Sequence, residues 1–450
     1  MLTPRELASV IESRIEDPTA RGLARAVSRA VGAGELPIGT KLPTIRYLAH
    51  ELGVSTTTIT ASWNLLIRSG TIRTEGRRGT FVAEPAASGA IRYRRAIPRA
   101  HELTLDLSGG LPDPELLPDV SRAVRDLRVA GSSLNYLDEP VLTDLARVLI
   151  ASWPYDVPEV AIADGALDAL DQIGRSLFQL GDRVLVEDPT FPTVVDQAEA
   201  TGAEVVGVAL DQEGLVPDQL RLALERPARA VIIQTRGQNP TGAALTPRRA
   251  AELAEILRGT GTYVIEDDSA GGISSAPDVS LGSLLPEQTL HVRSFSKSHG
   301  PDLRLAAFSA PEEVLGDIQG RRQLGQGWSS RLLQQILLHL LTDEASQAEV
   351  DAARAEYARR RSGLTASLRE RGIDIVDGDG LNLWLPVRDE TAAALYLATL
   401  GVGVAAGAPF TVTPGAPHLR VSVGEARSDL EDLAGILAHA AGIEVGAMTR

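Results

Sequence analysis

Past Leu103 the chain repeats one pattern, a short apolar run followed by a stretch with helical spacing. The runs are VAIADG, RVLVEDP, EVVGVAL, AVIIQT, YVIEDD and LHVRSFS. Strands that are apolar on both faces and separated by helices belong to a mostly parallel sheet, because parallel neighbours need a crossover that then covers the sheet. An α/β body follows. From about Ala345 a long helical stretch precedes IDIVDG, LNLWLPV and LRVSVG, which predicts a smaller α+β lobe. At 450 residues the chain is expected to form two or three compact units with ample buried surface.

Composition narrows the chemistry. With no cysteine there is no disulfide, thiolate metal site or cysteine nucleophile, and the seven histidines show no zinc or iron spacing, so no metal is expected. The start MLTPRELASVIESRIEDP lacks a basic segment leading into an apolar run, and no stretch of about eighteen uncharged apolar residues occurs later. A soluble, cytoplasmic protein without a membrane partner is the expectation. The formal charge of -15 argues against nucleic acid until it is divided along the chain. Between Pro18 and Arg99 stand 13 basic side chains against four acidic ones, Glu35, Glu51, Glu75 and Glu84. Once the two basic and four acidic residues of the first seventeen are counted, about -22 remains beyond Arg99. A basic front and an acidic rest have different partners.

The basic front reads as helices. RGLARAVSRAVGAGEL has apolar positions at helical spacing and stops at Gly32, Gly34 and Pro37. Thr44 can cap a second helix with Ile45, Leu48, Ala49 and Leu52 on one face. After Gly53, Ser55 can cap a third helix whose apolar face is Ile59, Trp63, Leu66 and Ile67. Two short helices across a glycine turn form a helix-turn-helix, and TIRTEGRRGTFV reads as a hairpin with Arg77 and Arg78 at its tip. In such units the start of the second helix enters the major groove of double-stranded DNA. Here that start offers Ser55, Thr56, Thr57, Thr58 and Thr60, with Lys41 and Arg46 beside it. Hydroxyls and threonine methyls reach phosphates and thymine methyls but discriminate less than arginine or asparagine. The run GTKLPTIRYLAHELGVSTTTITASWNLLIRSGTIRTEGRRGTFV resembles the winged helix of the GntR family throughout. Thr56 departs from it, because arginine usually follows the Val-Ser pair, and a different operator is the implication.

The body carries a second set of candidates. A lysine that condenses with an aldehyde must sit at a strand end in a polar cleft, and Lys297 follows the strand LHVRSFS among Ser294, Ser296 and Ser298. Asp267 or Asp268, ending YVIEDD, can hold a protonated pyridine nitrogen. Arg304, Ser294 and the Gly165-Ala166-Leu167 helix start can hold a phosphate. Phe191 offers a flat face and Asn239 a donor. Each has ordinary structural uses alone. In order, GAL, EDPTFP, NPTG, EDD, SFSK and DLRLA resemble the fold-type-I aminotransferases that use pyridoxal 5′-phosphate (PLP), from about Leu103 to the end. The resemblance implies Lys297 as the Schiff-base lysine, Asp267 on the pyridine nitrogen, Asn239 on the 3′-oxygen, Phe191 against the ring, and Ala166, Ser294 and Arg304 on the phosphate. It also implies Arg420, in HLRVSV, as the clamp for a carboxylate. Two positions depart from it. Relatives commonly have a tyrosine two residues after the aspartate where Ser269 stands, and a polar residue where Leu167 stands. Cofactor binding through the remaining groups, without efficient transamination, is the implication.

A GntR-type winged helix joined to such a body is the arrangement of the MocR subfamily of bacterial regulators. With the small, polar and basic run AASGAIRYRRAIPRAH, which shows no periodicity of a packed element, read as a linker, the chain divides into a winged helix-turn-helix at 1–84, a linker at 85–102 and a PLP-binding body at 103–450 with its small lobe from about 345. The resemblance implies a head-to-tail homodimer on promoter DNA that responds to PLP or an amino compound. Vitamin B6 synthesis, GABA or taurine use and transport are the regulated processes that analogy offers. A working aminotransferase with an accessory DNA-binding head, and a body serving only for dimerisation, are the alternatives.

Overall fold

A computed structural model describes residues 3–15, 17–68, 71–83, 92–97, 103–127, 139–427 and 429–444. The head starts with α1 (Pro4–Glu12), where Thr3 and Glu6 form a reciprocal capping box. Then come α2 (Ala20–Gly32), capped by Thr19, and α3 (Ile45–Glu51), capped by Thr44. In α4 (Thr56–Arg68) the Ser55 hydroxyl accepts the Thr58 amide at 3.0 Å. Leu23, Val27, Leu48, Ile59, Trp63 and Leu66 meet in one core with Leu7 and Ile11 of α1. Ile67, expected on the apolar face of α4, is 41% exposed, and Leu65 is buried instead. That flank meets the body, where a Cβ on Gly181 would stand 3.3 Å from Leu65. The wing pairs β1 (Ile72–Thr74) antiparallel with β2 (Thr80–Val82) around a 3-10 turn at Gly76–Arg78.

The segment read as a linker holds a short helix, α5 (Arg92–Ala96), packed on the body. Its anchors are distant in sequence, which is why local periodicity misses it. The Arg92 guanidinium donates to Glu199 at 2.7 and 2.8 Å and to Asp196, and the Arg92 amide donates to Asp196 at 2.7 Å.

The body begins with β3 (Leu105–Asp106) and is built on one eight-stranded sheet. Its strands are β4 (Ala161–Ala163), β5 (Arg183–Asp188), β6 (Glu204–Asp211), β7 (Gly214–Leu215), β8 (Ala230–Ile233), β9 (Tyr263–Asp268), β10 (Thr289–Ser294) and β11 (Ala306–Ser309). The spatial order is β4-β11-β10-β9-β8-β5-β6-β7. The pairs from β10 through β9, β8 and β5 to β6 are parallel, as the apolar runs predict. Strand β11 lies antiparallel to both β10 and β4, and β7 is antiparallel to β6. The sequence of β11, AAFS, has weak strand propensity, and its neighbours on both sides place it. Two cores on opposite faces cover the sheet. Helices α6 (Ala166–Leu177) and α7 (Pro192–Ala200) pack in one of them.

A helix of 27 residues, α8 (Glu344–Glu370), leads into the small lobe. There β12 (Asn382–Pro386), β14 (Ala405–Ala406) and β15 (His418–Ser422) form an antiparallel sheet in the order β12-β15-β14. A separate parallel pair joins β13 (Val402–Gly403) to β3, so the first strand of the body belongs to its last lobe. The run IDIVDG is not a strand. Its Asp377 instead accepts from Arg361 at 3.1 Å and from the Ser362 hydroxyl at 2.7 Å.

Candidate functional site

The parallel strands of an open α/β sheet leave their carboxyl ends at one edge, where the loops form a cleft. Ser294, Asp267 and the start of α6 lie at that edge because β10, β9 and β4 end there. Burial pushes the Lys297 ammonium below its ordinary range, and Asp267 is the largest opposite charge acting on it. Burial likewise raises Asp267, against hydrogen bonds from Ser269 and Gln234 and the charge of Lys297. The Ser269 hydroxyl donates to Asp267 at 2.5 Å, and the Gln234 amide donates to it at 2.8 Å. Gln234 also accepts the Asn239 backbone amide at 2.5 Å, so one side chain ties two candidates together. Its place after a buried strand was the only sequence signal for it. Asp268, the other aspartate open to the residue reading, is bound at both oxygens by Arg236, at 2.8 and 2.7 Å.

Several groups here have unfilled capacity. Asn239 is buried, and its side-chain oxygen has no partner. Gly165, at φ +107°, leaves room for Arg304, whose Nη2 would stand 3.0 Å from a Cβ there. Arg304 itself has the left-handed φ of 49° and donates to the Asp164 carbonyl at 3.2 Å. Ala166 opens α6, and the Leu167 carbonyl accepts from Gln197 at 2.8 Å. Phe191 stands at the start of α7 with Tyr93 of α5 against it, ring centroids 5.1 Å apart.

Arg420 reaches the cleft from β15 and is fully buried. Its Nη2 donates to the Ser108 carbonyl, while Nε and Nη1 have no partner. The facing Asn382 side-chain oxygen has none either. A Cβ on Gly110 would stand 2.9 Å from Nη1, so only glycine leaves that nitrogen its space. Aromatic rings of Phe410 and Tyr93 cover the guanidinium, with centroids 5.3 and 5.8 Å away.

On the head, Arg46, Ser55, Thr56, Thr57 and Thr60 are exposed and Thr58 is half-buried. Ser55 also shares hydroxyl contacts with Thr57 at 2.6 Å and Thr58 at 2.8 Å, which holds the first turn of α4 rigid. Lys41 bridges to Phe81 of the wing, and Arg78 stands 3.8 Å from Glu75 while staying largely exposed. The side chain of Arg77 lies outside the described residues. Elsewhere in the body, Asp268, Asp278 and His291 bring ligand atoms within 4.8 Å of one another. Those carboxylates are already paired with Arg236 and Arg293, so the group is a charge network. Among the described residues no helix is long and apolar enough to cross a membrane.

The profile "Aminotransferase class I and II" matches residues 104–437, and "Bacterial regulatory proteins, gntR family" matches residues 19–82. The vitamin B6 salvage pathway transcriptional repressor PtsJ of Salmonella typhimurium is 35% identical, over 91% of this chain and 95% of that protein. The chain belongs to the MocR-type family of GntR-headed, aminotransferase-like regulators. Another MocR-type relative, the HTH-type transcriptional regulator TauR of Rhodobacter capsulatus, is 29% identical over 90% of this chain and 93% of its own. Among solved structures, LysN, the alpha-aminoadipate aminotransferase of Thermus thermophilus complexed with N-(5'-phosphopyridoxyl)-L-leucine, superposes with a TM-score of 0.66. That likeness is at 26% identity and covers 75% of this chain and 92% of LysN. As a MocR-type regulator the protein binds DNA through its head, and the cleft described above lies in its aminotransferase-like body.

Proposed function

We propose that this regulator holds PLP at Lys297 and that the loaded body, alone or with an amino compound, sets how its head binds promoter DNA. The observation that carries the reading is the Gly165–Arg304 cradle at the sheet edge, where Asp267 is the largest opposite charge acting on Lys297 and the buried Asn239 also lies. These groups fit PLP. Bound there, PLP supplies an aldehyde that condenses with primary amines. Lys297, its charge disfavoured by burial, is the amine of the chain that meets it. Asp267 holds a proton on the ring nitrogen, positioned by Ser269 and Gln234. Phe191 covers the ring, Asn239 meets the 3′-oxygen, and Arg304, Ser294 and the Ala166–Leu167 start of α6 take the phosphate. Arg420 clamps the carboxylate of an amino-compound effector.

In the head, the exposed Arg46, Thr56 and Thr57 with Arg78 and Lys41 take the DNA, while Ser55 and Thr58 shape the helix start that reaches it. The reading includes a head-to-tail homodimer. The head surface that meets the body, Arg21 and Leu65 against Asp182 and Gly181, is the one such a dimer would exchange between subunits. The kinship to a vitamin B6 salvage repressor favours PLP itself as a signal.

Borohydride reduction of the PLP-treated protein tests the core of this reading. A pyridoxyl mass on the peptide containing Lys297 is expected, and none in Lys297→Ala. An unmodified wild-type peptide would overturn it. With Ser269 in place of the tyrosine, keto-acid formation across an amino-acid panel is expected to be slow, and brisk turnover would favour an aminotransferase instead.

A further inference from the structure

Residue 93 lies on the only covalent path between head and body, yet its side chain reaches the cleft. The Tyr93 ring packs on Phe191, and its hydroxyl donates to the Gly109 carbonyl at 2.6 Å. Gly109 adjoins Gly110, the residue that leaves Arg420 its space. The same ring lies 5.8 Å from the Arg420 guanidinium. Arg420 is thus sealed from water with two nitrogens unpartnered, a costly state unless another group takes them. A carboxylate would satisfy both in the usual bidentate way, but Tyr93 and Phe410 cover the approach. Beside Tyr93, Arg92 fixes α5 to Asp196 and Glu199 of α7, the helix that Phe191 begins.

We propose that Tyr93 is a displaceable cover over the Arg420 site, so that an amino acid whose α-carboxylate enters there moves the segment carrying the head. The proposal rests on the reading of the cleft as a PLP site with Arg420 as carboxylate clamp. It adds a ligand-selecting residue that comes from the connecting segment. An amine without a carboxylate has no reason to compete with Tyr93, and this separates the cover from simple amine exchange at Lys297.

L-alanine and ethylamine share the amine and differ in the carboxylate. Full-length protein loaded with PLP is titrated with each while the visible absorption of the lysine-bound cofactor is followed. Tyr93→Ala is expected to lower the half-saturating concentration of alanine about tenfold and leave that of ethylamine unchanged. Tyr93→Phe keeps the ring, loses the bond to Gly109, and is expected to fall between. Because the chain has no cysteine, fluorophores on Glu12→Cys and Glu287→Cys report the distance from head to body. Alanine is expected to change that distance with Tyr93 present and not with Tyr93→Ala. Equal shifts for alanine and ethylamine, unchanged alanine binding in both variants, or the same distance change in Tyr93→Ala would each overturn the proposal. No lysine-bound absorption in the unmodified protein would sink the cofactor reading, and the cover with it.

Discussion

Glu187 shows how one buried group can set a pH response. It is the last residue but one of β5, is 1% exposed, and accepts from the Gln234 backbone amide and the Gln238 side chain, both at 3.2 Å. Burial pushes its carboxyl up to about 8, more than those bonds pull it down. The fold therefore holds a proton there that the unfolded chain releases across the ordinary carboxyl range. Stability from Glu187 is complete at acid pH and declines as pH rises toward about 8. Calorimetry should show wild type losing more melting temperature between pH 5 and 8 than Glu187→Gln, and parallel curves would refute the assignment. At this scale the sequence was informative about residue types but silent on partners. Lys297 and Asn239 could be picked out by position, whereas Gln234 could not, because its meaning lies in one bond to Asp267 on the neighbouring strand and another to Asn239 across a turn.

The elements of the head lend themselves to direct tests because their signals are local. Ser55→Ala removes the hydroxyl that caps α4 and is expected to cost about 1 kcal/mol of head stability. Trp63, the one tryptophan of the head, packs in its core, so its fluorescence during thermal unfolding would register the loss. Arg78 stands exposed on the wing, beside Glu75. Replacing it by alanine should weaken DNA binding across sequences alike and reduce the salt slope of log affinity by about 1. A change confined to one DNA sequence would instead mark a base contact. Caps, turns and apolar stripes are written within a few residues, so α2, α3, α4 and the wing are legible. Helix α5 is not, since five residues set no period and its anchors stand about a hundred positions away.

Across the whole molecule, the start of the body is stitched to its end. Asp113 is 1% exposed and accepts from Arg360 of α8 at 3.0 Å and from Arg427 at 2.7 Å, while its amide donates to the Tyr357 hydroxyl oxygen at 2.9 Å. With β3 paired to β13, this joins the first body segment to the small lobe. Asp113→Ala leaves the nearly buried Arg360 without one of its carboxylates and is expected to cost about 3–5 kcal/mol, measurable by denaturant unfolding. A loss near that of a surface pair would show the junction to be weaker than drawn.

The order of apolar runs, caps and glycine turns by itself determined a basic winged head, a mostly parallel sheet and the chain order of the cleft residues, because each is encoded by spacing along a short stretch. Tertiary structure alone decided the antiparallel insertion of β11, the return of β3 to the small lobe, and the binding of Asp268 by Arg236 while Asp267 takes Ser269 and Gln234. It alone brought Tyr93 over Arg420. Those outcomes depend on contacts between residues up to hundreds of positions apart, and no local pattern carries such distances.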